Sequence, residues 1–137
     1  MVDSNVWVSA LDGAEAHSDS SRAFLAALGA RRHPIALPEF AEIEVACALS
    51  RRLRRAGRGR TLARAALHSP LVTTYPLSSR MIRKTLALGT RRFLRGPDAL
   101  YAAVAEAVGG EIVSWDLELA QRSGALTPEE WMARRGR

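Results

Sequence analysis

Residues 94–120 read LRGPDALYAAVAEAVGGEIVSWDLELA, and the order of elements in this stretch decides the class of fold. Gly96 and Pro97 introduce a helix, DALYAAVAEAV, so rich in Ala and Val that it must be packed on most of its sides. GEIVSWD follows as a buried strand, and DLELAQRSG as a short helix. Helix, strand and helix in immediate succession leave no room for a hairpin, so the neighbouring strand must come from elsewhere in the chain.

The same alternation continues outward. Downstream, TPEEWMA forms a last helix whose Thr127 and Glu130 have capping-box spacing. Upstream, Ser78 or Ser79 caps a helix through RMIRKTLALG, LVTTY is a strand ended by Pro76, and Thr61 to Leu67 is helical. Pro38 is read as opening a helix that runs to about Arg55, with Gly57 and Gly59 as breakers. PIAL is a short extended piece, and Ser18 to Leu28 is a helix stopped by Gly29. VDSNVWVS reads as the first strand and its exit loop, followed by the loop LDGAEAH. Strands alternating with helices imply an α/β fold with a mostly parallel sheet. The 137 residues are the size of one domain, spanning 1–137.

Composition narrows the function. A single cysteine, Cys47, excludes an internal disulfide framework and a thiolate-rich zinc site, and its setting in VACAL reads as a small buried hydrophobe. No apolar run is long enough to span a bilayer and no signal peptide is visible, which makes the cytoplasm the expected location and a membrane partner unexpected. The net charge is +6, carried by nineteen Arg and one Lys. Seven arginines (Arg51, Arg52, Arg54, Arg55, Arg58, Arg60 and Arg64) fall within fourteen residues. They are either a surface for nucleic-acid phosphates or a solvated face of an arginine-rich chain.

Four carboxylates stand out against this basic background. Asp3 ends the first strand, Asp116 ends EIVSWD, Asp98 lies in the first turn of its helix, and Glu44 lies inside the helix near Pro38. Ligand sites of open parallel sheets gather at these places. Taken singly, Asp98 could complement a helix dipole, Asp116 could be an N-cap, and Glu44 could be solvated. Asp3 resists such a reading, because a charge at the end of a buried strand is costly without a partner. Together the four would repel one another unless a divalent cation sat among them. Hard oxygen donors without a His or Cys cluster point to Mg²⁺ or Mn²⁺, ions that orient a phosphodiester and activate water for its hydrolysis. His17, His33 and His68 are dispersed and read as ordinary surface residues, and Trp7, Trp115 and Trp131 as core or dimer contacts.

These residues carry a family resemblance. VDSNVWVSALDGAEAH resembles the first motif of PIN domains, PEFAEIEVACALSRR the second, and LRGPDALYAAVAEAVGGEIVSWDLELA the third and fourth; LTPEEWM is similar to the end of such chains. The likeness spans Asp3 to Trp131. It implies a three-layer α/β/α PIN-like fold and a Mg²⁺- or Mn²⁺-dependent endoribonuclease, most similar to VapC-type toxins of type II toxin–antitoxin pairs. By the resemblance Asp3, Glu44, Asp98 and Asp116 are the metal-binding catalytic acids, with Asn5 and Ser114 as supporting residues. Arg51, Arg52, Arg54, Arg55, Arg58 and Arg60 are candidates for RNA contact. The implied partners are an RNA substrate, a small cognate antitoxin and a second copy in a homodimer.

Two features depart from the family pattern. Only Met1 and Val2 precede Asp3, so either the first strand is short or the true start lies upstream. Glu42 competes with Glu44 for the second position; the EVAxAL context favours Glu44, and residues 42 and 44, about 200° apart on a helix, cannot share a face. The rivals to a toxin ribonuclease are a non-catalytic PIN-like module that binds RNA or protein, and a free-standing RNA-processing nuclease without an antitoxin.

Overall fold

A computed structural model describes residues 1–135. The elements in chain order are α1 (Ser4–Leu11), α2 (Ser18–Ala30), β1 (Ile35–Pro38), α3 (Phe40–Leu53), α4 (Ala56–Leu67), β2 (Val72–Tyr75), α5 (Ser79–Arg92), α6 (Gly96–Val108), α7 (Leu117–Ser123) and α8 (Pro128–Arg135). β1 and β2 pair in parallel, from Ile35 opposite Val72 to Pro38 opposite Tyr75. Three shorter segments lie side by side elsewhere, with Val2 bridged in parallel to Val113, and Val113 to Leu126.

The Ala- and Val-rich helix is packed as its composition requires: every residue of α6 from Ala99 to Ala105 is buried. Around it the core gathers Val2, Val6, Phe24, Leu37, Val45, Leu49, Leu88, Val113 and Leu119. Trp7 and Trp131 are also buried, and Phe24 meets the Trp131 ring edge-on at 5.2 Å. The last helix has its capping box, with the Thr127 N–H donating to Glu130 Oε2 at 2.8 Å and the Glu130 N–H to Thr127 Oγ1 at 3.1 Å. Ser78 caps α5 by accepting the Met81 N–H.

Several expectations are corrected. VDSNVWVS is not a strand and loop: Val2 makes one bridge, and α1 starts at Ser4 directly behind it. Asp3 takes the extended N-cap conformation, so the chain turns from strand to helix within one residue. GEIVSWD is likewise reduced to a bridge at Val113, because the Gly109–Gly110 turn before it and the Asp116 N-cap after it leave little length for pairing. Pro38 ends β1 instead of opening a helix. At the two ends of this pairing the Ile35 N–H donates to the Leu71 carbonyl and the Glu39 N–H to the Tyr75 carbonyl, so the residue after Pro38 supplies the donor there.

Gly57 and Gly59 do not break a helix; both lie inside α4. The break is at Arg54, which takes a left-handed conformation with φ 51°. Gly59 is there for closeness: a Cβ on it would stand 2.3 Å from Ser50 Oγ and 2.4 Å from the Ser50 backbone nitrogen, so α4 rests against the backbone of α3. Cys47, read as buried, is exposed. The buried apolar stripe of α3 is Ala41, Val45 and Leu49, and Cys47 falls on the opposite side. Among the described residues, no helix is long and apolar enough to cross a membrane.

Candidate active site

Asp3 and Asp116 are the N-cap residues of α1 and α7, Asp98 lies in the first turn of α6 and Glu44 in the second turn of α3, and Arg95 joins Asp98 to Asp116. Asp3 leaves its strand as the N-cap of α1, but its carboxylate makes no capping bond. It is instead taken by Ser114, whose hydroxyl donates to Asp3 Oδ2 at 2.6 Å. Ser4 Oγ donates to the other oxygen at 3.3 Å. Ser114 Oγ also accepts the Asp116 N–H at 2.9 Å and Asn5 Nδ2 at 3.0 Å, which uses both of its lone pairs. Asn5 Oδ1 accepts the Trp115 N–H at 3.2 Å. Asn5 therefore touches neither acid; it ties α1 to the 114–116 turn that carries one of them.

Glu44 projects from the second turn of α3, and Tyr101 of α6 donates its hydroxyl to Glu44 Oε2 at 2.7 Å. Tyr101 is buried and stands one turn beyond Asp98, on the same face of α6. Glu42 points elsewhere and pairs with His68 at 2.8 Å. Asp98 sits in the first turn of α6 and accepts Arg95 Nε at 2.7 Å on Oδ2. Asp116 caps α7: its Oδ1 accepts the N–H groups of Glu118 and Leu119 at 2.8 and 3.0 Å. Its Oδ2 accepts Arg95 Nη2.

The electrostatics divide the four. Burial pushes the Asp3 carboxyl above the usual carboxylate range, against the Ser114 hydrogen bond, and the charge of Asp98 pushes the same way. Burial also raises Glu44, opposed by the Tyr101 hydrogen bond and reinforced by Asp3 and Asp98. Burial acts upward on Asp116 as well, but the Leu119 N–H and Arg95 outweigh it and hold that carboxyl below the usual range. The charge of Asp98 thus acts on both Asp3 and Glu44, and that of Asp3 on Glu44, whereas Asp116 is governed by its cap and by Arg95.

This donor set suits a hard divalent cation. It offers carboxylate oxygens only, and an added positive charge would offset the burial that raises Asp3 and Glu44 and the nearby charge of Asp98. As they stand, no three His, Cys, Asp or Glu side chains among the described residues are close enough to enclose an ion. Positive charge reaches the outer acids from Arg95 instead.

Of the expected RNA-contacting arginines, Arg51 and Arg52 line a groove of about 490 Å³ that also includes Ser4, Asn5 and Glu44. Arg52 is committed to Asp12, at 2.7 Å, and to Glu15. Arg60 adjoins Arg51 in a neighbouring groove along α3 and α4. Arg54, Arg55 and Arg58 are exposed around the α3–α4 turn and line neither groove. Three further residues were not singled out in the sequence: Ser4, Tyr101 and Arg95. Their spacing held a signal, since Ser4 adjoins Asp3 and the other two flank Asp98 by three residues on either side. His17 stacks on Trp115, with ring centroids 4.0 Å apart.

The fold and the site now permit comparison with known proteins. The chain's structure resembles that of Mycobacterium tuberculosis VapC20, described as a sarcin-ricin loop cleaving toxin, with a TM-score of 0.71 and 18% identity over 88% of this chain and 92% of that one. It also resembles PAE2754 from Pyrobaculum aerophilum, with a TM-score of 0.66 and 22% identity over 98% of this chain and 93% of that one. Comparison with curated proteins gives no significant match. The family model of the PIN domain matches residues 1–124, a stretch that holds all four acids, Asn5 and Ser114. By that match over most of its length, the chain belongs to the PIN domain family.

Proposed function

We propose that the protein is a Mg²⁺- or Mn²⁺-dependent endoribonuclease and the toxin of a toxin–antitoxin pair. The observation that carries this reading is the placement of four acids from different elements: Ser114 holds Asp3, buried Tyr101 holds Glu44, and Arg95 joins Asp98 to Asp116. A binding module has no need to hold four carboxylates in this way. The likeness to VapC20, described as a sarcin-ricin loop cleaving toxin, supports RNA as the substrate class and a small antitoxin as partner.

Asp3, Glu44, Asp98 and Asp116 would hold the cation. When bound, it would orient the phosphodiester, lower the pKa of water and stabilise the leaving oxygen. The chain supplies the rest. Ser114 and Ser4 orient Asp3, and Tyr101 orients Glu44, so hydroxyls hold the inner carboxylates with no positive side chain paired to them among the described residues. One carboxylate accepts the proton of the attacking water. Arg51, which lines the same groove as Glu44, would take a backbone phosphate.

The test is cleavage of RNA by purified protein, with mapping of the new ends, in Mg²⁺ or Mn²⁺ and after chelation, for wild type and Asp98→Ala. Activity lost in both comparisons is the expected result. Cleavage that persists through chelation or through Asp98→Ala overturns the reading. RNA binding without cleavage, unaffected by chelation or by Asp116→Asn, assigns the chain to the non-catalytic class instead.

A further inference from the structure

The Arg95 side chain lies across the acid site. Its Nε donates to Asp98 Oδ2 at 2.7 Å and its Nη2 donates to Asp116 Oδ2, one guanidinium bridging two carboxylates from different elements. Asp116 Oδ1 is fully engaged by the Glu118 and Leu119 N–H groups, which leaves Oδ2 as the oxygen that residue can offer an incoming ligand. That oxygen is the one Arg95 holds.

Three features make this contact exchangeable. The Arg95 side chain is 57% exposed, whereas Asp98 and Asp116 are 13% and 25% exposed, so the cation can return to water while the anions stay where they are. The Arg95 backbone is fixed as the N-cap residue of α6, where its carbonyl accepts the Ala99 N–H at 2.9 Å and Pro97 follows two residues on. Withdrawal therefore needs only side-chain rotation. Apart from the two acids, no hydrogen bond holds the guanidinium among the described residues.

We propose that Arg95 is the internal counter-ion of the site. It competes with a divalent cation for Asp98 Oδ2 and Asp116 Oδ2, and the cation loads by exchange with the guanidinium. This rests on the metal-dependent reading above and adds a regulation to it. Without the cation, Arg95 joins α6 to the 114–116 turn and offsets one of the two negative charges there; with the cation, those oxygens turn to the ion and Arg95 swings to solvent. Cation affinity is then set partly by a residue that is not itself a ligand.

The experiment is calorimetric titration of Mn²⁺ into the RNA-free protein, comparing wild type, Arg95→Gln, Arg95→Lys and Arg92→Gln. Arg92 pairs with Glu106 and tests for the general loss of one positive charge. Exchange predicts Mn²⁺ binding tightened about fivefold to tenfold by Arg95→Gln. Arg95→Lys, which keeps the charge but cannot fork, tightens it by less, and Arg92→Gln leaves it unchanged. A second readout needs no variant: the Arg95 Nε–H resonance of the wild type is protected from solvent exchange without a divalent ion and loses that protection on adding Mg²⁺. Equal Mn²⁺ affinity in wild type and Arg95→Gln overturns the inference, as does an Nε–H resonance that stays protected in Mg²⁺. Wild type that binds no Mn²⁺ at all would instead defeat the metal-dependent reading beneath it.

Discussion

The inner acids Asp3 and Glu44 and the outer acids Asp98 and Asp116 solve one problem in opposite ways. Among the described residues, no positive side chain pairs with the inner acids. Its oxygens meet hydroxyls, from Ser114 and Ser4 on Asp3 and from Tyr101 on Glu44, and burial raises both carboxyls. The outer pair shares a guanidinium, and that positive charge, together with the α7 N-terminus, lowers Asp116. Hydroxyls fix a carboxylate's direction without satisfying its charge, whereas an arginine satisfies the charge and occupies the place a metal would take. One half of the site meets only hydroxyls among the described residues, and the other half meets a positive charge.

Exchanging a member of either half should cost most in cleavage. Asp3→Asn and Asp116→Asn are each expected to lower it by more than about 100-fold, since even residues that only support metal ligands cost up to that much. A single-turnover assay in which one half proved dispensable would break the pairing. Next in size is Gly59→Ala. A Cβ there meets the α3 backbone, so the variant should lose about 2–3 kcal/mol in denaturant unfolding and displace the helix that carries Glu44. Unchanged stability would mean the two helices can separate freely.

The sharpest contrast is in pH dependence. Asp3 has a raised carboxyl in the folded state, so the folded protein binds more protons than the unfolded chain between the ordinary and the raised pKa, and stability falls as pH rises through that window. Asp3→Asn should remove this loss and raise the Tm at pH 7 by about 2–5 °C, an advantage that fades below the ordinary carboxylate range. Asp116 is lowered, and its contribution is present above the ordinary pKa and lost as pH falls through the folded one. Asp116→Asn should therefore lower the Tm at pH 7. Shifts of the same sign in scanning calorimetry would erase the distinction. The smallest effect belongs to Tyr101→Phe, which removes the donor to Glu44 and costs about 1 kcal/mol by denaturant titration, with the loss greatest where Glu44 is ionised.

Much of this site could be read along the chain. Asp98 and Asp116 fall at element ends because a helix first turn and an N-cap are local features, set by Gly96, Pro97 and the residues after Trp115. The capping box at Thr127 and Glu130 was legible for the same reason. Gly59 was misread, because its use is a contact with Ser50 on another helix, and a glycine's local freedom resembles a break whether or not the helix continues. Cys47 was misread because VACAL looks uniformly apolar until α3 is rotated against the core.

By itself the sequence determined the family and the alternation of helices with short strands, and it offered the four acids with Asn5 and Ser114 as candidates, all of them matters of residue type and spacing. Only the tertiary structure decided how those acids are kept. Ser114 reaches Asp3 across 111 positions, Tyr101 reaches Glu44 across 57, and Arg95 reaches Asp116 across 21. Hydrogen bonds and ion pairs act over a few ångströms in space whatever the separation along the chain, so the folded contact alone shows which carboxylate meets a hydroxyl and which meets a charge.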